Sequence, residues 1–360
     1  VERDAGGGRV GPTGIDGFAA DLVSPKLGTT QGPGAYDRLI QVMRELRDDE
    51  ALLAPLREAW AGRAFETVYA RPLLLLAALR FRALTDGHHP LGFEVLMDAQ
   101  APDLQGRFKE AMADPRLVEV LRVRAVQTNE PGRALGWGLP AMVLELVHRG
   151  FALVDLGCSA GLNLVVDRTA IEYRFGLNRV SGFDFPSPEV RLGLDAAPLD
   201  VRDEVESRWL EACIWPGQPE RLARFVACRD LYRRPWQGAS PGPALERHEL
   251  GVGDTLKRLE RLGDGPILAC ESVVRPYLSE GARGRHDADL AAWLAGGRER
   301  LWAVLEPNER PQSTTPMTLT VHLWRGGELV KVALAESGYH ASSCVIVPGA
   351  VAMLKAAWLA

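Results

Sequence analysis

The feature that most constrains the fold of this chain is a short apolar run that leads directly into a glycine-rich turn. Ala152–Leu156 has the length and apolar composition of a buried parallel strand. The turn Gly157–Gly161 follows it, and helical spacing of apolar residues resumes over 162–167. Because a strand, a glycine-rich turn and a helix in this order open nucleotide-binding α/β units, we predict an α/β fold from this point.

The segments after this unit continue to alternate between strand-like and helix-like patterns. The predicted elements are strands at 246–251, 266–271 and 301–306 and helices at 255–262 and 287–295. Apolar residues then alternate over 317–324, and two glycines separate them from a second apolar run at 329–334, which is typical of a β-hairpin. We therefore predict a Rossmann-like α/β fold, with a mostly parallel sheet that finishes in an antiparallel hairpin.

Changes in composition divide the chain into three parts. Residues 1–35 are rich in glycine, which predicts an irregular arm. Residues 36–150 carry apolar side chains at helical spacing, which predicts a helical cap region. Residues 151–360 form the predicted α/β domain, with a tryptophan-containing insertion at about 200–243. We expect the helical region to close over a pocket at the carboxyl ends of the strands.

The composition excludes several classes of protein. Of the 360 residues, 46% are hydrophobic and 25% are charged, which is ordinary for a globular chain and excludes a largely disordered one. The net charge of −5 lacks the basic excess typical of nucleic-acid or anionic-membrane partners, so neither is expected. No transmembrane helix or signal peptide is predicted, and the five cysteines lack the spacing of a zinc site or disulfide framework. We expect a cytoplasmic protein with a small-molecule substrate and no metal.

The turn after the first predicted strand is compatible with three kinds of site. A dinucleotide cradle requires Gly-x-Gly-x-x-Gly, and Ser159 occupies the middle glycine position, so that match is partial. A hydrolase nucleophile elbow requires Gly-x-Ser-x-Gly, which Gly157–Gly161 satisfies with Ser159 as the nucleophile and His322 or His340 as the base. However, an α/β-hydrolase has several strands before its elbow, whereas residues 36–150 have a helical pattern.

The third kind of site is a loop that binds S-adenosylmethionine (SAM), and it explains the most residues. Asp155, at the end of the strand, would orient the ammonium group of the ligand directly or through water. Gly157 and Gly161 would let the backbone approach the ligand, and the positive end of the next helix would face its carboxylate. The remaining predicted ligand contacts are Ser159 and Asn163 in the loop and Asp254 further along, although Ser159 and Asp254 also suit helix N-caps.

Two separated motifs resemble the bacterial domain-of-unknown-function family 2332. They are Gln127–Arg133, which contains Thr-Asn-Glu-x-x-Arg, and Asp155–Asp167, which contains Gly-x-Ser-Ala-Gly-Leu-Asn-Leu. Further matches are Trp215-Pro216, Gly253-Asp254, Glu271-Ser272-Val273 and Tyr277-Leu278, so the resemblance spans roughly residues 36–340. That family is generally placed with SAM-dependent methyltransferase folds, which implies this fold and the cofactor SAM but no particular reaction.

Carboxylates outside the glycine loop are the predicted catalytic groups. Glu271 ends a predicted strand, where it would orient or deprotonate the acceptor, and Glu130 is given a similar role by the resemblance. The predicted substrate contacts are Ser272 and, as the resemblance implies, Asn129 and Arg133, although Asn129 also suits a helix N-cap and Glu130 with Arg133 a local i,i+3 pair. Methyltransferases usually have an acid at the end of their second strand for the ribose hydroxyls, and the stretch 170–176 offers only Glu172.

The sequence therefore predicts a SAM-dependent methyltransferase that acts on a small molecule. The Asn/Asp-Pro-Pro-Tyr/Phe signature of enzymes that methylate amino nitrogens of nucleic acid or protein does not follow the strand at 266–271. Two alternatives stay open. One is a catalytically inactive protein that binds SAM or a nucleotide, and the other is a serine hydrolase with Ser159 as its nucleophile.

Overall fold

A computed structural model describes residues 13–24, 27, 35–65, 70–92, 95, 98, 100–237, 241–308 and 315–360. Most of the predicted glycine-rich arm lies outside the described residues. The chain divides into two compact units. One contains residues 1–128 and 203–223, and the other contains residues 129–202 and 224–360.

The first unit is built from helices that bury their apolar faces. Its helices are Phe18–Leu22, Ala35–Glu45, Glu50–Ala59, Ala70–Thr85, Leu104–Met112, Pro115–Val123 and Glu204–Ala212. Asp49, Asp114 and Asp203 each accept a backbone N–H at the start of one of these helices, which satisfies a donor that the helix cannot. The buried Arg71 pairs with Asp21 at 3.0 Å, so its charge is compensated inside the unit.

The described residues of the second unit contain ten strands that form one sheet. The strands are β1 (Ala152–Leu156), β2 (Glu172–Phe175), β3 (Asn178–Ser181), β4 (Val190–Asp195), β5 (Ala244–Arg247), β6 (Ile267–Ser272), β7 (Arg300–Pro307), β8 (Met317–Arg325), β9 (Glu328–Ser337) and β10 (Ser343–Ile346). Their order across the sheet is β3-β2-β10-β9-β8-β7-β6-β1-β4-β5. The block β7-β6-β1-β4-β5 is parallel throughout, and β8 and β9 continue it as an antiparallel hairpin.

Helices and short 3-10 turns complete the second unit. The α-helices are Leu135–Val143, Thr255–Glu260, Glu280–Ala295 and Ala350–Leu359, together with Pro219–Arg233, which contains the boundary at residue 223. The 3-10 helices are Pro131–Ala134, Leu146–His148, Leu162–Arg168, Gly182–Asp184 and Arg275–Tyr277. One hydrophobic cluster combines apolar residues of β1, β4, β6 and β7 with Leu290, Trp293 and Leu294 of the helix Glu280–Ala295.

The order of the strands in the parallel block reverses at β1. After β1 the chain forms β2 and β3 at the far edge of the sheet. It then forms β4 and β5 on one side of β1, and finally β6 and β7 on the other side. Such a point of reversal is where open α/β sheets bind their ligands.

The predicted α/β fold, its mostly parallel sheet and the hairpin of β8 and β9 are confirmed, but several local predictions were wrong. The helix predicted over 162–167 is the 3-10 helix Leu162–Arg168, and the strand predicted at 246–251 is Ala244–Arg247. The strand beside β1 is β4, which the sequence patterns did not predict. Glu172 is in β2, which pairs with β10 and β3 near the far edge of the sheet.

Candidate functional site

Glycine is required in the turn after β1 by both backbone conformation and packing. Gly157 and Gly161 have φ angles of +75° and +67°, in the left-handed region that favours glycine. A Cβ on Gly157 would lie 2.5 Å from Cγ2 of Val274, and a Cβ on Gly161 would lie 2.6 Å from Cδ2 of Leu245. The two glycines therefore allow neighbouring side chains of the domain to approach the turn closely.

Several backbone N–H groups of this turn donate to other parts of the same chain. Gly157 and Cys158 donate to the carbonyl of Leu194 at 2.7 and 3.2 Å, and Ser159 donates to Oδ2 of Asp195 at 2.8 Å. The helix that follows is a seven-residue 3-10 helix. The α-helix predicted to begin there is therefore wrong, whereas the predicted contact with a ligand carboxylate stays a prediction.

Asp155 is the most unusual ionisable group in this region. Its side chain is 3% exposed, and its Oδ2 has no hydrogen-bond partner among the described residues. Burial raises the pKa of Asp155 to about 7, and the negative charge of Asp195 adds to this effect. The amide of Asn163 and the thiol of Cys270, which donates to Oδ1 at 3.9 Å, partly oppose the rise. The carboxylate therefore has two weakly compensating neighbours, while no cation pairs with it and its Oδ2 has no hydrogen-bond partner among the described residues.

Asp195 is a candidate site residue that the sequence patterns did not indicate. It is the last residue of β4, and its two carboxylate oxygens accept the N–H groups of Ser159 and Ala197 at 2.8 Å each. Because β4 pairs in parallel with β1, Asp195 lies near Asp155 at the same edge of the sheet. The signal that could have revealed it is an apolar pair, Leu192 and Leu194, that leads directly into an acidic residue.

The structure brings together the loop residues that were predicted to contact a ligand. Asp155, Ser159 and Asn163 surround the turn, and the indole Nε1 of Trp137 donates to the Asn163 carbonyl at 3.0 Å. Oδ1 of Asn163 is buried and has no hydrogen-bond partner within the described part of the chain. By contrast, Asp254 is exposed and caps the helix Thr255–Glu260 by accepting the N–H of Lys257 at 2.8 Å.

Glu271 belongs to the opposite face of the sheet from Asp155. The register pairs Asp155 with Cys270, so the next residue of β6 projects to the other side. There Glu271 is 1% exposed, and its Oε2 lies 2.6 Å from Nε2 of the buried His286. Its Oε1 lies 3.4 Å from Arg275. Asp155 and Glu271 therefore lie on opposite faces of the sheet. Ser272, the next residue of β6, projects to the same face as Cys270 and Asp155.

Glu130 is buried in a charged cluster separate from Asp155. Its Oε1 accepts from Nε of Arg224 at 2.9 Å and from the N–H of Gly132 at 3.0 Å. Its Oε2 lies 3.5 Å from Nδ1 of His340. Arg133 donates from Nε to the carbonyl of Tyr339 at 3.1 Å.

The side-chain amide of Asn129 lies beside this cluster in the sequence. The residue is 8% exposed, and both polar atoms of its amide lack hydrogen-bond partners among the residues that the structure describes. A buried amide without partners is unfavourable, so a ligand that both donates and accepts hydrogen bonds would stabilise it.

The described ranges contain neither a cluster of metal-binding side chains nor a helix able to span a membrane. No group of three or more His, Cys, Asp or Glu side chains is arranged to hold a metal ion there. None of the helices described has both the length and the apolar character that crossing a bilayer requires.

The model of DUF2332, described as an uncharacterized protein conserved in bacteria, matches residues 35–344. No curated protein and no solved structure matches the chain.

Proposed function

The chain belongs to the bacterial family DUF2332, and from the geometry at the carboxyl end of β1 we propose that it is a SAM-dependent methyltransferase acting on a small molecule. The observation that carries the proposal is the buried carboxylate of Asp155, whose Oδ2 has no hydrogen-bond partner among the described residues. Buried charges in proteins are normally paired, so a cationic ligand group is the natural partner for this oxygen. The ammonium group of SAM has the required charge and donors.

The strand arrangement supports the same cofactor. Asp155 lies at the reversal point of the sheet, where Rossmann-like domains bind nucleotides. A parallel block that finishes in an antiparallel hairpin is also the arrangement expected of a methyltransferase domain. Asp195 supplies the acid at the end of the strand beside β1, which methyltransferases usually direct at the ribose hydroxyls.

The residues present fit SAM at two points. The unpartnered Oδ2 of Asp155 would accept from the ammonium group. Each oxygen of Asp195 accepts one backbone N–H and keeps a second lone pair, with which it would accept from ribose hydroxyls. Gly157 and Gly161 keep side chains out of the turn that separates these two carboxylates.

The methyl group would pass to an oxygen or nitrogen of the acceptor. SAM, when bound, supplies this methyl on a sulfonium, and the electron pair of the broken S–C bond stays on sulfur. The chain's contribution is to hold the two reactants in line and exclude water. The proton that leaves the acceptor requires a base.

We assign that base to Glu130 in preference to Glu271. The helix Leu135–Val143 follows Glu130, and its Gly136 lies against Leu305 of β7. By the register of β7, β6 and β1, Leu305 is on the same face as Asp155. Glu271 projects to the other face, where His286 holds it. Asn129, Arg133 and Ser272 keep their predicted roles as contacts to the acceptor.

One observation favours a second candidate, a protein that binds SAM without turnover. Both carboxylates predicted to act on the acceptor are already held by positive or hydrogen-bonding partners, Glu130 by Arg224 and Glu271 by His286. Lone pairs that already accept these contacts are less available to take a proton from the acceptor. The two candidates share the cofactor site and differ only in methyl transfer.

Calorimetric titration with SAM and with its demethylated product, S-adenosylhomocysteine, tests the proposal. We expect micromolar binding, on the order of −8 kcal/mol. Asp155→Ala and Gly157→Val should abolish it, whereas the control Asp254→Asn, which changes an exposed cap, should retain it. Failure to bind at millimolar ligand would refute the proposal. Binding without any methyl transfer across an acceptor screen would select the second candidate.

A further inference from the structure

The segment that follows β6 has an unusual backbone. Val273 has a φ of +55°, in the left-handed region, which a β-branched side chain rarely adopts. Val274 follows with φ −97° and ψ −40°, in the right-handed region. Two residues of opposite hand in succession turn their N–H groups toward a common point and form a concave site for an anion.

The anion in this concave site is a carboxylate of the chain itself. The N–H groups of Val274 and Arg275 both donate to Oε1 of Glu306, at 2.7 and 3.1 Å. The N–H of Val273 donates to the carbonyl of Leu305 at 3.1 Å. Three successive N–H groups thus donate to Leu305 and Glu306 at the end of β7. These hydrogen bonds, two of them to a carboxylate, offset the unfavourable backbone conformation of Val273.

The held segment touches the proposed cofactor loop. Val274 is buried, and its Cγ2 occupies the place where a side chain on Gly157 would begin, 2.5 Å from an added Cβ. Gly157 is two residues beyond Asp155. Contacts therefore run without interruption from Glu306 through Val274 to the turn that follows Asp155.

We propose that Glu306 is a positioning residue, which holds Val274 against Gly157 and thereby sets the affinity of the site at Asp155 for its ligand. The affinity part of this inference rests on the proposed function, whereas the holding of the segment does not. Oε1 of Glu306 makes the bonds, while its Oε2 is buried and has no partner within the described ranges. An isosteric amide that presents its oxygen to the same N–H groups can therefore replace the carboxylate.

The pKa of Glu306 explains why glutamine is the informative conservative variant. Burial raises this pKa to about 7, and the charge of Glu271 adds to the effect, against the N–H groups of Arg275 and Val274. Near neutral pH the native side chain is thus partly protonated. Glu306→Gln then keeps an acceptor for the two N–H groups, whereas Glu306→Ala removes it.

Hydrogen exchange of the peptide covering residues 272–278, together with titration of SAM and S-adenosylhomocysteine, tests the inference. We expect Glu306→Ala to accelerate exchange at residues 274 and 275 and to weaken binding, each on the order of tenfold, because two charge-assisted bonds are lost. Glu306→Gln should restore both to within about threefold. The matched control Glu328→Ala, at an exposed glutamate of β9, should change neither.

A second variant keeps the test decisive if Glu306→Ala does not fold. Val274→Ala removes the contact with Gly157 but leaves Glu306 and its bonds in place. It should therefore weaken binding while exchange at residues 274 and 275 stays slow.

Each contrary result has a distinct meaning. Unchanged exchange in Glu306→Ala would overturn the holding of the segment. Faster exchange with unchanged affinity would overturn the link to the ligand. If the native protein binds neither ligand, the proposed function fails and the affinity part falls with it. Exchange alone then decides whether Glu306 holds the segment.

Discussion

Replacing Asp155 with asparagine should make the ligand-free protein more stable, and more so as the pH rises. The variant keeps the size of the side chain but cannot ionise. In the native protein, ionising Asp155 costs free energy because the carboxylate is buried without a full set of partners. The gain from removing this cost therefore depends on pH.

The size of the effect follows from the two pKa values. The pKa of Asp155 is about 7 in the folded protein, against an ordinary value of 3.8. Between these values the folded state binds more protons than the unfolded state, so native stability falls as pH rises through this window. Three units correspond to about 4 kcal/mol above pH 7, of which about 3 kcal/mol should develop between pH 5 and pH 8.

Urea unfolding at several pH values between 5 and 8 measures this difference directly. The free energy of unfolding of Asp155→Asn minus that of the native protein should rise by about 3 kcal/mol over the range. Asp254→Asn, at an exposed helix cap, should give the same small difference at every pH. A difference for Asp155→Asn that stays constant within about 0.5 kcal/mol would refute the assignment of a buried, destabilised carboxylate.

Three further substitutions test other parts of the account. Gly157→Ala should lower the free energy of unfolding by about 2–4 kcal/mol, because of the positive φ of Gly157 and the clash with Val274. Urea unfolding of the double mutant with Val274→Ala should show about 1–3 kcal/mol of coupling between the two changes, and additive effects would exclude the contact. Burial lowers the pKa of His322 to about 4. The stability of the native protein should therefore fall by about 3 kcal/mol relative to that of His322→Gln as the pH drops from 6.5 toward 4. Equal pH dependence of the free energy of unfolding in the two proteins would contradict this. Glu271→Ala leaves the buried His286 without its partner, so it should lower the free energy of unfolding by about 3–5 kcal/mol in thermal or urea unfolding. A loss below about 1 kcal/mol would show that the pair does not stabilise the fold.

Local patterns in the sequence were sufficient for the elements that lie next to each other along the chain. The run Ala152–Leu156 with its glycine turn and the hairpin of β8 and β9 each carry their signal within a few residues. The family was also identified correctly from its motifs, and its model matches residues 35–344.

Pairing between distant segments could not be predicted in the same way. The acid beside β1 was sought in the next stretch along the chain, at 170–176, but that stretch forms a strand near the far edge of the sheet. β4 is the true neighbour, and its end carries Asp195. A local pattern indicates that a strand exists, whereas its neighbour is decided by long-range packing.

The separation of Asp155 from Glu271 has a similar origin. Both residues end strands of the same parallel block, which suggested one shared pocket. The register places them one residue apart, and a shift of one residue moves a side chain to the other face of the sheet. Local sequence patterns do not predict how two distant strands are aligned.

The most direct test of the central claim is the number of protons released when SAM binds at pH 6.5. Calorimetric titration in two buffers of different ionisation enthalpy measures it. If the ligand's ammonium pairs with Asp155, the pKa of about 7 should fall, and about 0.7 proton should leave the native protein. A native protein that binds SAM without releasing protons, or that takes them up, would contradict the claim that Asp155 receives the cofactor.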